Sequence, residues 1–70
     1  MSTWGAAKAE RVYAALLRLE WVAKRSSGSH TTLARPDWPD FVWAFHDGDE
    51  IGARMLARIA KQTGLRPEHL

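Results

Sequence analysis

The sequence predicts an α+β fold of order α-β-β-β-α, with two helices covering one face of a three-stranded antiparallel sheet. Three observations carry this expectation. An Ala/Leu-rich segment with an apolar stripe opens the chain, a second amphipathic segment closes it, and three short extended runs lie between them. Each helix must bury its stripe. A sheet covered by both on one side leaves its other face open to water.

The first helix is expected over residues 6–19, capped by Ser2 or Thr3. Its alanines and leucines are strong helix formers. Val12, Leu16 and Leu19 recur at +4 and +3 and make one stripe, while Lys8, Arg11 and Arg18 fall on another side. Extended runs follow at 21–26, 29–35 and 41–46. Ser26-Ser27-Gly28, the segment from Arg35 to Asp40 with its two prolines, and Asp47-Gly48-Asp49 supply the breaks. In the third run Phe41, Trp43 and Phe45 alternate with Val42, Ala44 and His46, so one face is bulky and the other small. The closing helix is expected over 50–63. Ile51, Met55, Leu56, Ile59 and Ala60 point inward, and Arg54, Arg58 and Lys61 point outward. Gly64 stands where a left-handed cap belongs, with Leu65 as the apolar contact that follows it.

Composition narrows the class. Seventy residues make one domain, spanning 1–70. The absence of cysteine excludes a disulfide framework or a thiolate metal site, so the core must hold the fold, and four tryptophans suit that need. With 46% hydrophobic and 26% charged residues the chain is an ordinary globular mix, not a disordered one. No apolar run approaches the roughly 20 residues of a membrane span. The start, Met1 to Gly5, lacks the charged and apolar regions of a signal peptide, so a cytoplasmic protein is expected. A net charge of +2 does not by itself imply a nucleic-acid partner.

Hairpin geometry places the histidines. If the second and third strands turn near Trp38, residues whose numbers sum to about 76 oppose each other. His30 then pairs with His46, Thr32 with Ala44 and Ala34 with Val42, all on the thin face, while Leu33, Phe41, Trp43 and Phe45 face the helices. A first hairpin looping over Ser26–Gly28 pairs Arg25 with Ser29 and Trp21 with Leu33, and sends Trp21 into the core. The other register leaves Trp21 on the open face, and burial favours the first. Histidine both accepts and donates protons near neutral pH. Beside cations it is equipped for RNA cleavage: it takes the proton of a ribose 2′-hydroxyl, which attacks the adjacent phosphate while Arg or Lys neutralises the growing charge. A solvated surface histidine is the plain alternative. A metal would need a third ligand, and His69 lies in the tail, so neither metal nor other cofactor is expected.

The run from Glu20 to His30, with Trp21 followed by Arg25-x-x-Gly28-Ser29-His30, resembles the first hairpin of HicA-type (YcfA-like) toxins, the small mRNA interferases. The similarity continues through His46 at the end of the third strand, the last helix, Gly64-Leu65 and the terminal Arg66–Leu70. It implies a fold like a double-stranded-RNA-binding domain, and a metal-independent endoribonuclease acting on mRNA as the toxin of a toxin–antitoxin pair. It further implies His30 as catalytic histidine, His46 as a possible accessory, and a HicB-type antitoxin covering the His30 face. Lys24, Arg25, Ser29, Arg35, Arg54, Arg58 and Lys61 are the candidate RNA contacts, through phosphates. Antitoxin contact is a competing use of the same surfaces. Trp38 either stacks on a base or packs over the sheet end. The alternatives are a non-catalytic RNA-binding module of the same fold, or an inactive relative that still binds the antitoxin. Four departures stand out. Glu20 occupies the usual glycine position at the end of the first helix, Thr31 follows His30 where many members carry another histidine or an aromatic, Arg54-Met55 replaces Gly-Thr, and the loop at Asp47, Asp49 and Glu50 is acidic.

Overall fold

The computed structural model of the chain describes residues 4–70. The expected order is present. Helix α1 (Ala9–Arg18) is followed by β2 (Val22–Ser27), β3 (His30–Arg35) and β4 (Trp38–Trp43), then α2 (Ala53–Thr63) and a short 3-10 turn at Pro67–His69. The three central strands form an antiparallel sheet of order β2-β3-β4. A second, two-stranded ladder joins β1 (Ala7–Lys8) to β5 (Glu50–Ile51) and was not expected.

That ladder explains why both helices begin later than their composition suggests. Ala7 and Lys8 are extended and pair with Ile51 and Glu50, so α1 starts at Ala9. Its first free amides are taken by main-chain carbonyls of the loop after β4: Ala9 N–H donates to Asp49 O at 2.8 Å and Glu10 N–H to Asp47 O at 3.4 Å. The acidic loop therefore sits against the start of α1 as well as leading into α2. The expected caps Ser2 and Thr3 lie outside the described residues.

Helix α1 ends in a Schellman cap. Trp21 N–H donates to Leu16 O at 3.1 Å and Glu20 N–H to Leu17 O at 3.0 Å, with Glu20 at φ 76°. The glutamate thus adopts the left-handed conformation that glycine accepts most readily. Helix α2 ends on Gly64 at φ 79°, whose amide donates to Ala60 O at 2.9 Å. Glycine is needed there twice over, because a Cβ would lie 3.0 Å from Cη2 of Trp38.

Both hairpins turn on two residues. Ser27 pairs with His30, leaving Gly28-Ser29 as the loop, with φ 61° at Gly28 and no positive φ at Ser29. Glycine at the first of two loop positions is the signature of a type II′ turn. The second loop is Pro36-Asp37, with Asp37 at φ 70°, as a type II turn requires. It is shorter than the expected six-residue break, and Trp38 opens β4 instead of centring the loop. The register accordingly differs from expectation by two: Thr31 pairs with Trp43, Thr32 with Val42 and Leu33 with Phe41. A shift of two preserves each residue's face. The first hairpin also pairs differently, Ala23 rather than Trp21 standing opposite Leu33.

The core contains Val12, Ala15 and Leu16 of α1, Leu33, Phe41 and Trp43 of the sheet, and Leu56 and Ile59 of α2. Trp21 is buried as expected, although it precedes β2. Its Nε1 donates to the Thr63 carbonyl at 3.1 Å, tying the end of α1 to the end of α2. Thr63 is itself fully buried. Its hydroxyl donates to Ile59 O at 2.8 Å and accepts from Leu65 N–H at 3.2 Å. Met55 departs from expectation: it is exposed, because α2 turns Leu56 and Ile59 inward instead.

Candidate nucleic-acid interface

The open face is built by alternation. Across β2 and β3, Arg25 opposes Thr32 and Ser27 opposes His30, on the side away from Leu33, Phe41 and Trp43. His30 is the first residue of β3, just past the type II′ turn, and is exposed. Arg25 is its diagonal neighbour on the same face, at about 7–8 Å between backbones. That spacing lets a long guanidinium and an imidazole reach the same phosphodiester from two sides.

A β-bulge enriches this face. Between Ala23 and Arg25 the β2 strand carries one extra residue, Lys24, against β3. A bulge redirects side chains. Lys24 Nζ donates to Asp40 Oδ2 on β4 at 2.9 Å, crossing β3 to do so. Asp40 precedes the buried Phe41 and so lies on the open face, which means that Lys24 and Arg25 share it although adjacent in sequence. Asp40 as the lysine's partner was not anticipated; no periodicity announces a bulge. Val22 and Val42, 62% and 53% exposed, make the remainder of this face apolar.

The other candidates are dispersed. Ser29 is exposed in the turn beside His30. His30 and His46 are not cross-strand partners. Continued past the Thr31–Trp43 pair, the register sets Ala44 rather than His46 opposite His30, and His46 lies past the end of β4 with its amide bound to the Asp49 carboxylate at 2.8 Å. Arg35 ends β3, roughly 17 Å along the strand from His30. Its guanidinium lies 5.4 Å from the Trp38 ring centre. Trp38 packs edge-on to Trp21 at 6.0 Å, over the sheet end rather than free in a loop. Arg54, Arg58 and Lys61 are exposed on α2, beside β4 rather than around His30. His69 holds the tail turn, its Nδ1 accepting from Arg66 N–H at 2.8 Å and its carbonyl from Arg18 Nη2 at 2.8 Å. Among the described residues no helix is long and apolar enough to cross a membrane.

What the arrangement can do chemically is present a proton-transfer group and two cations on one accessible surface. Comparison with known proteins places the chain in a family. No curated protein and no solved structure gives a significant match. The family model described as the HicA toxin of bacterial toxin–antitoxin systems matches residues 9–65, from the first residue of α1 to the leucine after the α2 cap. The chain therefore belongs to the HicA toxin family of bacterial toxin–antitoxin systems.

Proposed function

We propose that this toxin is a cytoplasmic endoribonuclease that cleaves mRNA with His30 as general base and acid. The observation that carries the proposal is the exposed His30 diagonal to Arg25 on the open sheet face. RNA lies across β2 and β3. His30 takes the proton of a ribose 2′-hydroxyl, the 2′-oxygen attacks the adjacent phosphorus, and the bond to the 5′-oxygen breaks. The same imidazole returns its proton to the leaving 5′-oxygen. The products are a 2′,3′-cyclic phosphate and a 5′-hydroxyl, and the step needs no metal or other cofactor. Arg25 neutralises the charge that develops on the phosphate oxygens, and Lys24 and Ser29 hold the flanking backbone. No step of this reaction requires His46. A HicB-type antitoxin would silence the toxin by covering the His30 face.

The test is His30→Ala. Because His30 is exposed at a strand end, the variant should keep its stability to within about 0.5 kcal/mol. Expression of the wild type should arrest growth, and the variant should not. The purified variant should leave RNA intact while its circular dichroism matches the wild type. Equal arrest by the alanine variant would end the catalytic assignment.

A further inference from the structure

The sheet has two edges, and the one formed by β4 borders a groove. β4 is hydrogen-bonded only to β3, so every second residue directs its amide and carbonyl outward. Beneath that edge, on the covered face, lies α2. Between them Phe41, Phe45, Met55 and Ile59 line an apolar depression of about 240 Å³, with Val42 and Arg58 at its rim. That exceeds the roughly 150 Å³ of an apolar cavity that accepts a benzene ring, so a branched or aromatic side chain fits. The groove continues past Gln62 to Lys61, Trp38 and Asp40. Pro39, which has no N–H, closes one end and leaves residues 40–43 as the usable edge, about 13 Å of strand.

Charge selects the occupant. Arg54, Arg58 and Lys61 stand one turn apart along α2, and among the described residues none of them forms an ion pair or hydrogen bond. Asp40 is the acid in this groove, and Lys24 already occupies it. A cationic wall beside an apolar floor and an unpaired strand edge has one natural complement. We propose that the groove between β4 and α2 binds an extended segment of a protein partner, added to the sheet as a fourth strand, whose α2-facing side chains, every second residue, include both apolar and acidic ones. Main-chain bonds to β4 provide attachment, the apolar residues fill the Met55–Phe45 depression, and the carboxylates face Arg58 and Lys61. A nucleic-acid backbone would satisfy the cations but neither the strand edge nor the apolar floor. This surface is separate from His30 and does not depend on the catalytic proposal.

The experiment selects a random octapeptide display library on the intact protein and carries the enriched peptides into solution binding. Enriched peptides should carry apolar and acidic residues together at every second position, on the face turned to α2, and should slow hydrogen exchange at β4 amides. Arg58→Glu should weaken them at least about tenfold, and Met55→Asp should abolish binding. Both residues are exposed, and thermal unfolding of each variant checks that the fold is kept. His30→Ala should bind as the wild type does, which separates this test from that of catalysis. The proposal is overturned if no peptide enriches, if basic peptides enrich, or if both groove substitutions leave affinity unchanged. It is equally overturned if a short single-stranded RNA shifts the Met55 and Arg58 resonances while no peptide does. Finally, it falls if sedimentation shows a dimer that Met55→Asp dissociates, which would make the groove an interface between copies.

Discussion

Glu20 holds φ 76° at the end of α1, and among the described residues no side-chain hydrogen bond or ion pair compensates it. The left-handed conformation costs an L-residue with a Cβ about 1–2 kcal/mol. The position keeps this conformation because Trp21 and Leu16, on either side of the cap, are both buried and the chain must reverse between them. Glu20→Gly should therefore stabilise the protein by about 1 kcal/mol, the strain released less the extra freedom glycine brings to the unfolded chain. For a domain of this size that is a rise in Tm of about 4–8 °C, read by thermal circular dichroism. A fall in Tm would mean that the carboxylate contributes more in place than its backbone costs.

At the scale of elements, the bulge in β2 makes the candidate site what it is. It places Lys24 and Arg25 on one face, but it also hands Lys24 to Asp40. An ion pair whose side chains are 48% and 41% exposed contributes about 0–1 kcal/mol, so the pair does little for stability and, on the proposed function, would hold a cation away from RNA. Asp40→Asn should leave Tm almost unchanged, tighten RNA binding, and steepen its logarithmic salt dependence by about 0.7, the increment of one further phosphate contact on a single strand. An unchanged slope in a salt titration would show that Lys24 does not reach phosphate. The elements themselves were legible: the stripe through Val12 and Leu16 and the alternation of Phe41 and Trp43 are strong periodic signals. The pairing was not. A tight Pro36-Asp37 turn and two bulges shift partners without altering the pattern of apolar residues. That is why the face of His30 was read correctly while its expected pairing with His46 was not. The ladder of Ala7–Lys8 with Glu50–Ile51 is too short to leave any periodicity. Met55 misled because i, i+4 spacing from Ile51 assumed one continuous helix, whereas Ile51 belongs to β5.

Across the whole molecule, the proposed site and the core occupy opposite faces of one thin sheet. The open face is exposed and contributes little to the core, so it can carry His30, Arg25 and Lys24 without a stability penalty. The covered face must then hold the fold alone, without disulfides. A chain of this length has about 4–10 kcal/mol of stability in total. Trp21 is the largest fully buried side chain, meets Trp38 and Phe41 edge-on at 6.0 and 6.4 Å, and bonds the last turn of α2. Trp21→Ala removes that hub, at a cost of about 3–5 kcal/mol, and should leave much of the protein unfolded at 25 °C. Trp21→Phe keeps most of the apolar volume but leaves the Thr63 carbonyl without its donor inside the core, and should cost about 2–3 kcal/mol. Urea unfolding followed by circular dichroism distinguishes the two, because the phenylalanine variant should still give a cooperative transition at a lower midpoint. If both variants unfolded alike, the hydrogen bond rather than the packed ring would be the element that joins α1 to α2.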